Sequence, residues 1–149
     1  MIRTILSNHE IIAVFIARVF LGLLFFFQGY DAIFRKRLRN ITDTFHPSFE
    51  SLGVSRTVTA LGVGFASYVQ LICGFFLILG FIKYYALCLL GMNFILAAIV
   101  FGAVQPTWDL RSAFPRLALL IFLLFIPWQW DVFSIDYCWS FFKFLKSFY

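Results

Sequence analysis

The sequence predicts an all-α integral membrane protein: a four-helix bundle with a short amphipathic segment in its first loop and an interfacial C-terminal tail. Three observations carry that reading. The chain is 62% hydrophobic and only 13% charged, with a mean hydropathy of +0.93, against about 45–50% apolar and about 25% charged residues in a soluble domain. A soluble domain of this size still exposes roughly 30% of its unfolded surface, so such an apolar excess calls for lipid as solvent. The apolar residues also fall into stretches of spanning length, and basic residues gather in the connections between them. The expectation is a single transmembrane domain over residues 1–149.

Near the N-terminus, Ser7-Asn8-His9-Glu10 reads as a capping box, with the Ser7 hydroxyl accepting from the Glu10 amide. The first span is expected over about 11–34, long enough for a hydrocarbon core that needs roughly 20 residues. Only Arg3 precedes it and no A-x-A-like site follows, so it reads as a span and not as a cleavable leader. The second span is expected over 57–82 and the third over 84–104, joined at Lys83 by a tight turn with Tyr84 and Tyr85 at the interface. Gln105-Pro106-Thr107 closes the third span, because a residue before proline avoids the helical region. The fourth, 110–128, accommodates Pro115 in its first turn and exits at Pro127, Trp128 and Trp130.

Loop 1 has its own pattern. Phe34, Leu38, Ile41 and Phe45 recur at helical spacing among Arg35, Lys36, Arg37 and Arg39, as in a short helix lying on an anionic membrane surface. In the tail, 138–149, Phe141, Phe144, Leu145 and Phe148 share a face opposite Ser140, Lys143 and Ser147. That stretch is too short to cross and reads as interfacial.

The basic residues set the orientation. Arg35, Lys36, Arg37, Arg39, Arg56, Arg111 and Arg116 fall on one side, and Arg3, Lys83, Lys143 and Lys146 on the other. The positive-inside rule then places loop 1 in the cytoplasm and both termini outside. The bilayer is the first expected partner, followed by other membrane-protein subunits; no interleaving of basic and aromatic residues points to nucleic acid.

Arg18 stands out among the residues that could carry chemistry. It lies inside the first span, where an ionised side chain costs at least about 2.5 kcal/mol at the centre of a helix. One reading turns it inward, because it shares a stripe with Gly22, Phe25 and Gly29; the other lets it snorkel to the interface. Gln70, on a stripe with Ser67 and Gly74, and Asn93, near Gly91, complete an expected intramembrane polar cluster or ligand-binding group of Arg18, Gln70 and Asn93. Gly22, Gly29, Ser67, Gly74 and Gly91 are the expected helix-packing positions. Hydrogen bonds between such helices are worth about 0.6 kcal/mol each, so Asn93 reads first as glue.

No catalytic set is expected. His9 and His46 fall on opposite sides and cannot share a metal, and no acidic residue sits at mid-membrane. Cys73, Cys88 and Cys138 form no close pair, and the depths of Cys73 and Cys88 differ too much for a disulfide.

With this layout in place, the residues resemble the DoxX-like family of small four-helix membrane proteins. Ala17-Arg18-Val19-Phe20-Leu21-Gly22, followed by Gly29, is similar to the family's opening R-x-x-x-G…G pattern. The segment from Gln70 through Gly74 to Gly80 is similar to its second-span glycine pattern, and Trp130-Asp131-Val132-Phe133-Ser134-Ile135-Asp136 to its closing aromatic-S-x-D segment. Two positions depart from the pattern. Gln70, which exchanges no proton, stands where the family commonly has Glu, and Cys73 replaces the first glycine of a pair. The resemblance implies a bacterial inner-membrane protein from a family often associated with sulfur, thiol or quinone redox partners.

Three functions compete. A non-catalytic accessory or anchoring subunit of a larger respiratory, redox or cell-envelope complex accounts for 22 Phe and 4 Trp on so small a bundle. A quinone-linked oxidoreductase subunit would hold its quinone, the one cofactor left open, near Arg18 and Gln70. A carrier of small solutes is the weakest, because no repeat of broken helices marks a midplane site.

Overall fold

The computed structural model describes residues 2–50, 53–104, 110–127 and 130–139. Everything regular among them is helical. We number the helices α1 (Ile2–Tyr30), α2 (Leu38–Glu50), α3 (Arg56–Leu79), α4 (Lys83–Val104) and α5 (Leu110–Phe125). A π-helical turn, Asp31–Arg35, prolongs α1, with the Lys36 amide donating to the Asp31 carbonyl at 2.8 Å.

Two stretches, His9–Arg35 and Arg56–Leu79, are long and apolar enough to cross a membrane; Lys83–Ile99 and Phe114–Phe125 are shorter apolar helices. The long pair makes the most extensive contact, and α3 with α4, α4 with α5, and α5 with α1 join the remaining helices to it. All four contribute to the core: Val14, Leu21 and Phe25 meet Cys73 and Leu77, Ala86, Leu87 and Leu90, and Leu120 and Leu123.

The α1–α3 contact is close because glycines face backbone. A Cβ on Gly29 would stand 2.5 Å from the Leu71 amide nitrogen, and one on Gly74 the same distance from that of Phe26. Gly22 faces Ile78 and Gly74. Ser67 turns its hydroxyl back to the Val63 carbonyl at 2.8 Å, leaving a small apolar surface toward Gly29. Gly91 lies against Leu120, at ordinary contact distance.

The elements differ from the sequence expectation in four places. The first helix begins at Ile2, so Ser7–Glu10 lies within it and not at its start. The second span ends at Leu79, not 82, because Gly80 takes the left-handed conformation (φ +67°) and closes the helix. The Phe81 amide donates to the Phe76 carbonyl and the Gly80 amide to that of Leu77, the paired bonds of a Schellman cap. Pro115 falls beyond the first turn of α5, inside the helix. Loop 1 does form a helix, α2, but that helix packs against α3 and buries Thr42 and Phe49, whereas Phe34 stays exposed on the π turn. The expected interfacial tail, 138–149, lies outside the described residues from position 140 onward.

Candidate functional site

At the end of the molecule where α3 hands over to α4, four charged side chains converge from three parts of the chain. Arg18 comes from α1, Lys83 opens α4, and Asp131 and Asp136 lie on the segment after α5. Arg18 Nε stands 3.2 Å from Asp131 Oδ1, and Lys83 Nζ stands 2.9 Å from Asp131 Oδ2. Arg18 is 0% exposed, Asp131 2% and Lys83 13%. Both contacts are ionic but out of line for hydrogen bonding.

The guanidinium does a second job. Its Nη1 donates to the carbonyls of Leu77 (2.8 Å) and Ile78 (3.3 Å), and its Nη2 to that of Phe133 (2.8 Å). The last carbonyls of a helix have no partner within it and carry the negative end of its dipole. Arg18 thus caps the C-terminus of α3 from a neighbouring helix. Asp136 does the reverse for α4: its carboxylate accepts from the Ile82 amide at 2.9 Å and the Lys83 amide at 3.0 Å. Its own amide donates to the Gly80 carbonyl at 3.1 Å. The turn between the two helices is therefore gripped at both ends.

That grip explains two unusual backbone angles. Ile82, a β-branched residue, holds φ +50°, a conformation that costs of order 1–3 kcal/mol and persists only where the surroundings enforce it. The Asp136 carboxylate supplies that enforcement. A Cβ on Gly80 would collide with Arg18 Nη1 and with Ser134, so glycine is required there for space as well as conformation. Ser134 fixes the last segment by donating to the Asp131 carbonyl at 2.7 Å and accepting from the Tyr137 amide at 3.1 Å. Phe15 packs edge-to-face on Phe133, with its ring 5.7 Å from the Arg18 guanidinium carbon, and shields the cluster on that side.

The group expected from the sequence, Arg18 with Gln70 and Asn93, is not assembled. Leu71 packs against Gly29 in the antiparallel α1–α3 pair, which sets Gln70 level with Gly29, about 16 Å along the helix from Arg18 at 1.5 Å per residue. Asn93 is buried on α4, about 15 Å beyond Lys83 by the same rise. Arg18 is level with the end of α3, because α1 extends well past that end. The residues missed were Lys83, Asp131, Asp136, Gly80 and Ser134. A signal for them existed: the expected topology puts both cations and both carboxylates at one end of the bundle.

The DoxX family model matches residues 13–103. The chain belongs to the DoxX family. No curated protein and no solved structure matches it. Family membership, together with two helices of spanning length, points to a membrane protein. The DoxX match includes Arg18, Gly80 and Lys83 and stops before Asp131 and Asp136, so the carboxylate half of the cluster lies beyond it. No group of His, Cys, Asp and Glu able to hold a metal occurs among the described residues, and Cys73, Cys88 and Cys138 are free thiols.

Proposed function

We propose that this DoxX protein is a non-catalytic accessory or anchoring subunit of a larger respiratory, redox or envelope complex in the bacterial cytoplasmic membrane. In this reading α1, α3, α4 and α5 all cross, with both termini outside. One observation carries it: every donor-bearing nitrogen of Arg18, the most deeply buried charge, is turned to a main-chain carbonyl or to Asp131. The cluster ties helix ends together, as a rigid scaffold requires. Outside it, Phe20, Phe27, Leu61, Phe65, Met92 and Phe125 present exposed apolar surface to lipid or partner helices. Purification of the tagged full chain in mild detergent, followed by mass analysis, should recover stoichiometric membrane subunits. A chain that runs alone in every mild detergent would argue against the accessory role.

A second reading, the quinone-linked oxidoreductase subunit, is supported by a cleft of about 230 Å³ between α4 and α5. Tyr84, Leu87, Leu123, Leu124 and Ile126 line it, with Lys83 at its polar end. An apolar cleft with one convergent polar group suits an amphiphile. It moves the headgroup contact from Arg18 and Gln70 to Lys83. Quinone extracted with the same purified material, and lost on Lys83→Ala, would favour it over the first reading.

A further inference from the structure

At the opposite end of the molecule the chain builds an open basic groove. Its walls are Arg35 and Lys36, from the end of the π turn, and Asn40, Ile41 and Thr44 of α2, around a volume of about 260 Å³. Arg37, between the two walls, holds φ +59°, and this left-handed residue turns the chain so that both walls face one space. The Thr44 hydroxyl donates to the Asn40 carbonyl at 2.8 Å, leaving the Asn40 side-chain amide as the neutral donor in the groove. Exposed Phe34 precedes Arg35 on the π turn, its ring against that of Tyr30.

Charge and depth together identify an occupant. Asp31 lies 3.5 Å from Arg35, and Asp43 is taken by Arg56, so Lys36, Arg37 and Arg39 face no acidic partner among the described residues. The apolar stretch of α1 ends at Arg35 and that of α3 begins at Arg56. The groove therefore lies where both helices leave the hydrocarbon, at the level of lipid phosphates. Cationic forks suit phosphate, and basic residues next to a span attract anionic lipid. Ile41 gives the site an apolar side that a free anion would not use.

We propose that this groove binds the headgroup phosphate of an anionic phospholipid, with Arg35 and Lys36 as its charges and Asn40 as its neutral donor. The proposal rests on the membrane placement of α1 and α3 and stands apart from any accessory role. Native mass spectrometry of the full chain in detergent, titrated with phosphatidylglycerol or phosphatidylcholine, tests it. Phosphatidylglycerol should bind more tightly, and Lys36→Gln, at an exposed side chain, should weaken it about fivefold. Lys36→Arg should retain binding, and inorganic phosphate in large excess should leave the lipid in place. Equal binding of the two lipids to the wild-type chain overturns the proposal, as does an undiminished preference in Lys36→Gln. Displacement by inorganic phosphate would assign the groove to a soluble anion and overturn it too.

Discussion

Asp131 is the residue on which the charge cluster turns, because its two oxygens face two different cations. Removing one member of a buried pair typically costs about 3–5 kcal/mol, since the remaining charge keeps its desolvation penalty without its partner. Asp131→Ala should therefore lower thermal stability in detergent sharply, by an amount of that order. Lys83→Met added to it should recover part of the loss, because one uncompensated cation disappears; the guanidinium still has its three carbonyls. Equal stability of Asp131→Ala and the wild-type chain would mean that the carboxylate does not hold the cluster together. Arg18 itself was legible in the sequence, since a charge inside an apolar run is conspicuous. Its main-chain partners were not: Phe133 is 115 residues away, and the acceptors at Leu77, Ile78 and Phe133 are backbone carbonyls that no side-chain pattern announces. Gln70 and Asn93 attracted attention as polar residues in spans, but helix register separates both from Arg18.

Among the elements, the α1–α3 pair depends most on small residues, and its glycines were legible as two stripes. A stripe shows which face is small, not how near the next backbone comes. Here that distance decides the effect of substitution. Gly74→Ala would drive a methyl to 2.5 Å from the Phe26 amide nitrogen, and because the obstacle is backbone the helices must separate. Gly62 lies on the same helix, and a methyl group added there would meet nothing within 4 Å. Gly62→Ala should thus be neutral or stabilising, by up to about 1 kcal/mol from helix propensity, whereas Gly74→Ala should lose about 1–3 kcal/mol to overpacking. Parallel melting curves of the two variants check this, and equal melting temperatures would contradict the close crossing. Apart from the start of α1, expected near 11 and found at Ile2, helix limits were readable to within a few residues except where tertiary contacts decide them. Gly80 ends α3 although Phe81 and Ile82 continue the apolar run, because Arg18 and Asp136 stabilise the turn. The helix in loop 1 was legible from its spacing, but not that α3 would cover its buried face.

For the whole molecule, the hydrogen bonds from Arg18 and Asp136 place the α3–α4 turn and the segment after α5 at one end. The α2 helix and the start of α3, joined by the Arg56–Asp43 pair, occupy the other, where Arg116 also reaches Gln28. The two ends differ in character. Exposed Tyr84, Tyr85, Trp130 and Trp139 surround the charge-balanced cluster, in the manner of an interfacial aromatic belt. The other end carries the basic groove. Arg35, Lys36, Arg37, Arg39 and Arg56 gather there against Arg18 and Lys83 at the cluster end, and the positive-inside rule, which counts Lys and Arg whatever carboxylates lie beside them, assigns the richer end to the cytoplasm. The exposed thiol of Cys138 at the cluster end offers a natural probe, and Cys73 is buried and silent. In intact cells a membrane-impermeant maleimide should label Cys138 directly. A cysteine placed at exposed Arg37 should react only after permeabilisation. The reverse pattern would invert the molecule and put the basic groove on the outer leaflet; labelling of both positions in intact cells would mean that the two ends do not lie across the bilayer from one another.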